Sequence, residues 1–250
     1  MFNVLKKMHE LGAMFNPFLY KFGFRISRLN RSLEYDNMII AIHQLKEKGF
    51  RPKTIIDIGA GRGRWTKAVL PIFPRTKYLC IDPLDENKSR LSKIAQQYGN
   101  IICAQTLLGQ RKKTVIFYQH GNQSSIFYDS IHKGTPTKMT LTTLDNIIKQ
   151  KGITNPDFIK LDVQGYELEV LKGATKTLSK AQFVLLEVSY SPWMKGMPIF
   201  HDVVAFMKQQ NYRIYHIVSM SVRVRDSMPI ASDVLFVKNG TLFANDSSWE

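Results

Sequence analysis

The apolar positions of this chain switch between two periods. From Thr54 onward, short runs rich in β-branched and aromatic residues are separated by stretches in which apolar residues recur every three or four positions. Short apolar runs bounded by turn residues predict strands, and the longer period predicts helices. Strands are expected over 54–58, 77–82, 101–105, 157–162, 182–188, 212–218 and 233–238, with 114–118 as an extra strand. Helices are expected over 63–72, 86–98, 143–151, 166–172 and 199–209. Gly99, Gly152 and Gly173 stand where three of these helices stop, as glycine commonly does. Strands alternating with helices predict an α/β fold with a mostly parallel sheet covered on both faces.

Residues 1–50 read differently. Phe2, Leu5, Met8, Leu11, Met14, Phe15, Phe18, Leu19 and Phe22 recur near helical spacing, and Pro17 interrupts them. Lys6, Lys7, Lys21, Arg25, Arg28 and Arg31 punctuate the pattern, and a second helix, Met38 to Lys48, stops at Gly49. The expected organisation is a helical extension over 1–50, a domain over 51–240 and a flexible tail over 241–250. A basic amphipathic helix packs on its own domain or a partner subunit, or lies on a membrane surface. Peripheral membrane contact is therefore one expectation for residues 1–50.

At 250 residues and 44% apolar, the chain is long enough for one α/β domain with a sizeable core. No apolar run approaches a membrane span, and the start of the chain lacks the compact apolar core of a secretion signal. The two cysteines, Cys80 and Cys103, fall in apolar strand-like runs without metal-ligand spacing, which fits buried thiols in a reducing compartment. A cytoplasmic protein, peripheral at the inner membrane face, is the expectation. Thirty-five Lys+Arg against twenty Asp+Glu give a formal charge of +15, a surface that favours anionic partners.

The chemistry begins at "DIGAGRG", residues 57–63, between an expected strand and an expected helix. Glycines there let backbone turn tightly and approach a ligand. The dinucleotide fingerprint G-x-G-x-x-G would need its third glycine at position 64, which is Arg64. Asp57, Gly59, Gly61 and Gly63 instead complete D-x-G-x-G-x-G, which resembles motif I of S-adenosylmethionine methyltransferases. Asp82 closes the neighbouring strand in "CIDP", near the spacing at which a ribose-binding acid is found. Asp57, Asp82, Asp162 and Glu187 all fall at expected carboxyl ends of strands, where open α/β sheets bind ligands.

Three further stretches, "TTLDNI" at 142–147, "DFIKLDVQGYELEVLKGA" at 157–174 and "VLLEVS" at 184–189, resemble the FkbM family of methyltransferases, as does "NQSSIF" at 122–127. The resemblance covers about residues 54–238. Two positions depart from it: the family often has Asn where Gly61 stands and Glu where Asp82 stands. The resemblance implies a class I, Rossmann-like, doubly wound fold with a mostly parallel seven-stranded sheet. It implies S-adenosylmethionine as cofactor and methyl transfer to a hydroxyl of a sugar, glycan, glycolipid or related small molecule. Asp57, Gly59, Gly61, Gly63 and Asp82 would hold the cofactor. Transfer to an alcohol needs the oxygen held near the methyl and a base for its proton. Asp162 and Glu187 are the catalytic candidates, as base, as orienting groups or as metal ligands. A divalent metal is not expected, since two carboxylates do not make a site. Two alternatives differ in class: an RNA methyltransferase, motivated by charge alone, and a non-catalytic basic scaffold at a membrane. No amino-methylation motif or RNA-binding appendage supports the first.

Overall fold

The structure is a computed structural model and describes residues 33–244, apart from 122, 131, 132 and 224. The amphipathic pattern from Phe2 to Phe22 and the tail beyond 244 lie outside the described residues. After helix α1 (Leu33–Glu47) the chain runs β1 (Thr54–Ile58), α2 (Arg64–Val69), β2 (Lys77–Ile81), α3 (Asp85–Tyr98) and β3 (Ile101–Ala104). A small sheet follows, from β4 (Leu107–Leu108), β5 (Lys113–Gln119) and β6 (Thr135–Thr142). Then come α4 (Leu144–Gln150), β7 (Phe158–Leu161), α5 (Glu167–Lys172), α6 (Thr175–Leu178) and β8 (Phe183–Ser189). The last elements are α7 (Phe200–Gln209), β9 (Tyr212–Val222) and β10 (Pro229–Lys238), closed by a short 3₁₀ turn at Leu242–Ala244.

The main sheet has seven strands in the order β3-β2-β1-β7-β8-β10-β9. Only β10 runs against its neighbours, pairing antiparallel with both β8 and β9. The doubly wound, mostly parallel sheet expected from the sequence is therefore present. Its two faces follow from alternation along each strand. Ile56, Leu79, Ile159 and Leu186 pack with Leu144, Val170, Leu178 and Met207 from the helices of one face. Ile55, Tyr78, Phe158 and Leu185 pack with Ile42, Trp65, Val69 and Ile94 on the other. Helix α1 belongs to this second layer, with Ala41, Ile42 and Leu45 buried.

The chain changes direction across the sheet between β1 and β7, which pair in parallel although far apart in sequence. A crevice opens at the carboxyl ends of the strands at such a switch point. The small sheet, ordered β4-β6-β5, covers one side of that crevice and carries its own apolar cluster of Leu84, Leu107, Phe117 and Leu141.

Several boundaries move for local reasons. The helix expected over 63–72 ends at Val69, because Pro71 has no amide to donate. The strand at 135–142 was not expected, since Thr, Lys and Pro dominate it and only Leu141 is fully buried. The strands expected over 212–218 and 233–238 extend to Val222 and start at Pro229, so together they form a longer hairpin than the apolar runs suggested.

Candidate active site

The three glycines of the 57–63 loop have three steric reasons. A Cβ on Gly59 would sit 1.8 Å from the backbone oxygen of Asp162, so the loop after β7 presses directly on this position. A Cβ on Gly63 would meet Ile94 Cδ1 at 2.5 Å, where α3 packs on the loop. A Cβ on Gly61 would meet nothing within 4 Å, leaving its backbone open to whatever occupies the crevice. The loop amides do not turn back to Asp57. Those of Gly59 and Ala60 donate to the carbonyl of Ile81, at 2.9 and 3.0 Å.

A cavity of about 340 Å³ lies above this loop. Gly59, Gly61, Asp82, Lys160 and Asp162 line it from the main sheet. Phe117 lines it from β5 of the small sheet, Ser124 and Ile126 from the loop that follows β5, and Met38 from α1. Asp82 ties two of its walls together. Its Oδ2 accepts from the Gly61 amide at 2.8 Å, and its Oδ1 accepts from the Leu84 amide at 3.0 Å and Asn87 Nδ2 at 2.9 Å. A carboxylate has about four acceptor sites, so roughly one remains, on Oδ2. That suits one hydroxyl of a ribose rather than both. The helix cap of α3 is at Leu84, not Asp82.

Asp57 and Lys160 are register partners on β1 and β7, one directly across from the other. Lys160 Nζ lies 3.4 Å from Asp57 Oδ1 and 3.3 Å from Asp162 Oδ2, and the lysine is 5% exposed. Burial alone would drive the ammonium toward neutrality; Asp162 and Asp57 outweigh it and raise the pKa above the ordinary lysine value. Asp57 is fully buried and also accepts from Thr66 Oγ1 at 2.7 Å. It is therefore the counter-ion of a buried lysine beneath the loop. Asp162 keeps one foot in solvent, with 43% of its side chain exposed, and accepts from Gln164 Nε2 at 2.8 Å.

Glu187 does not line the cavity. Leu161 on β7 pairs with Leu186 on β8, so Asp162 and Glu187 continue the same row across the sheet edge. The row runs on to Asp233 and Ser219, whose hydroxyl donates to Asp233 Oδ2 at 2.5 Å. Burial, then the charges of Asp162, Glu167 and Asp233, push the Glu187 carboxyl up to about 8. Raised above the ordinary 4.5, this group binds its proton more tightly folded than unfolded. The contribution of this one group to stability is therefore fullest below pH 4.5 and is lost as pH rises toward about 8. Glu187→Gln should melt at a higher temperature than the parent at pH 8.5 and close to it at pH 5. Equal melting shifts at both pH values would sink this account.

Two residues of the site were not singled out from the sequence. Lys160 is one. The other is Glu167, which is 4% exposed and accepts from the amides of Val163 at 2.9 Å and Gly165 at 3.2 Å. It cinches the loop after β7 into the turn that carries Asp162. Burial pushes its carboxyl up to about 7 against the opposing pull of those amides. Ser125 clamps the same loop from outside, its hydroxyl donating to the Gln164 carbonyl at 2.8 Å. In the loop after β5, the His120 amide donates to Ser124 Oγ at 2.8 Å. No cluster of three or more metal-ligating side chains occurs among the described residues.

Comparison with known proteins adds to this geometry. Hexuronic acid methyltransferase AglP of Haloferax volcanii is 38% identical over 151 residues, which are 59% of this chain and 60% of that protein. The match thus spans less than two thirds of AglP. 2-O-methyltransferase NoeI of Sinorhizobium fredii is 20% identical over 195 residues, 71% of this chain and 78% of that protein. The crystal structure of methyltransferase FkbM from Methylobacillus flagellatus superposes with a TM-score of 0.47 at 16% identity, covering 84% of this chain and 56% of that one. The family model described as the methyltransferase FkbM domain matches residues 57–214, from the acid of the glycine loop into β9. The chain belongs to the FkbM methyltransferase family.

Proposed function

We propose that this protein transfers a methyl group from S-adenosylmethionine to a hydroxyl of a sugar ring. The observation that carries the reading is the pairing of Gly61 with Asp82. An open glycine backbone and an acid with about one acceptor site to spare face the same cavity, 2.8 Å apart. The Gly61 amide is already given to Asp82, and the acceptor left on that acid fits a neutral ribose hydroxyl better than a phosphate. When bound, the cofactor supplies an electrophilic methyl on a positive sulfonium. The acids at the cavity's edge suit that charge. The family, with AglP named as a hexuronic acid methyltransferase and NoeI as a 2-O-methyltransferase, supports a sugar acceptor.

Asp162 is the proposed base. It lines the cavity, is partly exposed, and is held by Lys160 and Gln164 in one orientation. Glu187 stands behind it and tunes the local field. Its high proton affinity suits it to hold a proton rather than to meet the acceptor. Asp57 holds Lys160, and through it the floor of the cavity. We further propose that the protein works in a reducing compartment, as the free, buried Cys80 supports. No helix among the described residues is long and apolar enough to cross a membrane. Contact of the basic N-terminal pattern with a membrane surface remains a separate proposal.

Calorimetric titration with S-adenosylhomocysteine tests the cofactor site. Asp82→Ala should weaken binding about 10- to 100-fold, the worth of hydrogen bonds to a charged group plus the lost anchor on Gly61. A well-folded parent protein that does not bind, or a variant that binds equally well, would falsify the reading.

A further inference from the structure

We propose that the tip of the β9–β10 hairpin, with the adjoining loop after β8, docks on an anionic lipid surface. Register places this surface. β8 ends at Ser189, which pairs with Ala231, whereas β9 continues to Val222, which pairs with Pro229. Residues 221–223 and 225–230 therefore extend past the end of β8, with no strand among the described residues beside them on that side. β9 runs in the same direction as β1, β7 and β8, so its far end lies at the edge that carries Asp82 and Asp162. The hairpin tip lies on the same edge of the sheet as the cavity, with β10 two strands and β9 three strands from β7.

Its side chains are not those of a solvated turn. Met220, Val222, Met228 and Ile230 are each between 41% and 54% exposed. Met220 and Val222 share one strand face by alternation. Trp193 joins them from the loop after β8 and is 42% exposed. Its ring is fixed, with Nε1 donating to Ser189 Oγ at 3.3 Å, and the Tyr190 amide donates to the Ile230 carbonyl at 2.8 Å. Loop and hairpin are thus one connected apolar edge, larger in chemistry than scattered exposed side chains.

Charge selects the occupant. Arg223 grips Asp226 through two hydrogen bonds of 2.8 and 2.6 Å, and Arg225 Nε stands 3.4 Å from the same carboxylate. Two cations on one acid leave the tip net positive, and Lys195 adds an exposed cation beside Trp193. Two copies of a chain with formal charge +15 repel each other at such a surface. An anionic bilayer attracts it. There the apolar side chains enter the acyl boundary while Trp and Arg bridge the headgroup level. Docking this way would face the cavity toward the lipid, where a lipid-borne sugar is presented. The docking itself does not depend on the methyl-transfer reading.

The test is co-sedimentation of the full chain with vesicles of phosphatidylcholine alone and of phosphatidylcholine with phosphatidylglycerol. The parent should bind the anionic vesicles, and less so as salt rises. A variant combining Val222→Ser, Met228→Ser and Ile230→Ser should partition about tenfold less. Its melting temperature and S-adenosylhomocysteine affinity should not change. Arg225→Glu should flatten the salt dependence. The proposal is overturned if the parent stays in the supernatant, or if the triple variant binds as the parent does, which would put the contact elsewhere on the chain. It is equally overturned if sedimentation equilibrium shows a dimer that the triple variant dissociates, which would make the edge an interface between copies.

Discussion

Gly59→Ala should yield a protein that is hard to keep folded and does not bind S-adenosylhomocysteine. Two costs fall on one methyl group. The backbone here has φ of +72°, a conformation in which a Cβ is strained. The added carbon would also fall 1.8 Å from the Asp162 carbonyl oxygen, far inside contact distance. That oxygen cannot retreat cheaply. The amide of Asp162 donates to Ile58 at 3.1 Å as the β1–β7 pairing ends, so backbone must part from backbone. A loss of about 3 kcal/mol or more follows, which lowers the melting temperature of a chain this size by about 10 °C. Gly61→Ala is the control. Its Cβ would meet no protein atom within 4 Å, so it should cost less stability and act chiefly on ligand affinity. Equal melting temperatures for Gly59→Ala and the parent would show that the two loops are not pressed together.

The second large effect is on rate. Asp162→Asn keeps the shape and one acceptor, which can serve Lys160 or Gln164 but not both, and Asp57 stays as the counter-ion of Lys160, so the variant should fold and keep cofactor affinity within about threefold. If Asp162 takes the acceptor's proton, kcat for a sugar acceptor that the parent turns over should fall about 10²- to 10⁴-fold. A fall of less than about tenfold would transfer the role elsewhere, and Glu187 on the same row is the next group to test. The two cases separate by pH. With Glu187 as base, its raised carboxyl would place the rising limb of activity near pH 8.

Much of this architecture was legible before any coordinates. The strand runs and the helix stops predicted the sheet, and the glycine loop, Asp82 and Asp162 converge on one cavity as their places at strand ends implied. Asp57 falls at the end of β1 as expected, but the sequence did not show its partners, Thr66 and the buried Lys160. Lys160 carried a signal that strand periodicity hid. In "FIKL" every residue is buried, and a lysine in a fully buried central strand must have an anionic partner. The sequence offers several acids and does not say which. Glu167 was invisible because its work is a pair of local hydrogen bonds, to the amides of Val163 and Gly165, that no apolar periodicity marks. The polar strand β6 has too little burial to leave an apolar stripe, and the hairpin past Ser189 breaks the rule that apolar runs mark the core.

The position of Met38 in the cavity wall has a consequence for biosynthesis. Its helix, α1, is held against the sheet by side chains that include Val218 and Tyr215 of β9. One wall of the pocket, contributed near the beginning of the described chain, thus waits for a strand close to its end. Contacts of such long sequence separation form late and slowly. A nascent chain that has emerged only as far as β8 already contains the glycine loop, Asp82 and Asp162, yet it lacks the strand that seats α1. Ligand can support folding only once the pocket exists, so S-adenosylmethionine in the surrounding medium should not rescue a chain truncated before Tyr212.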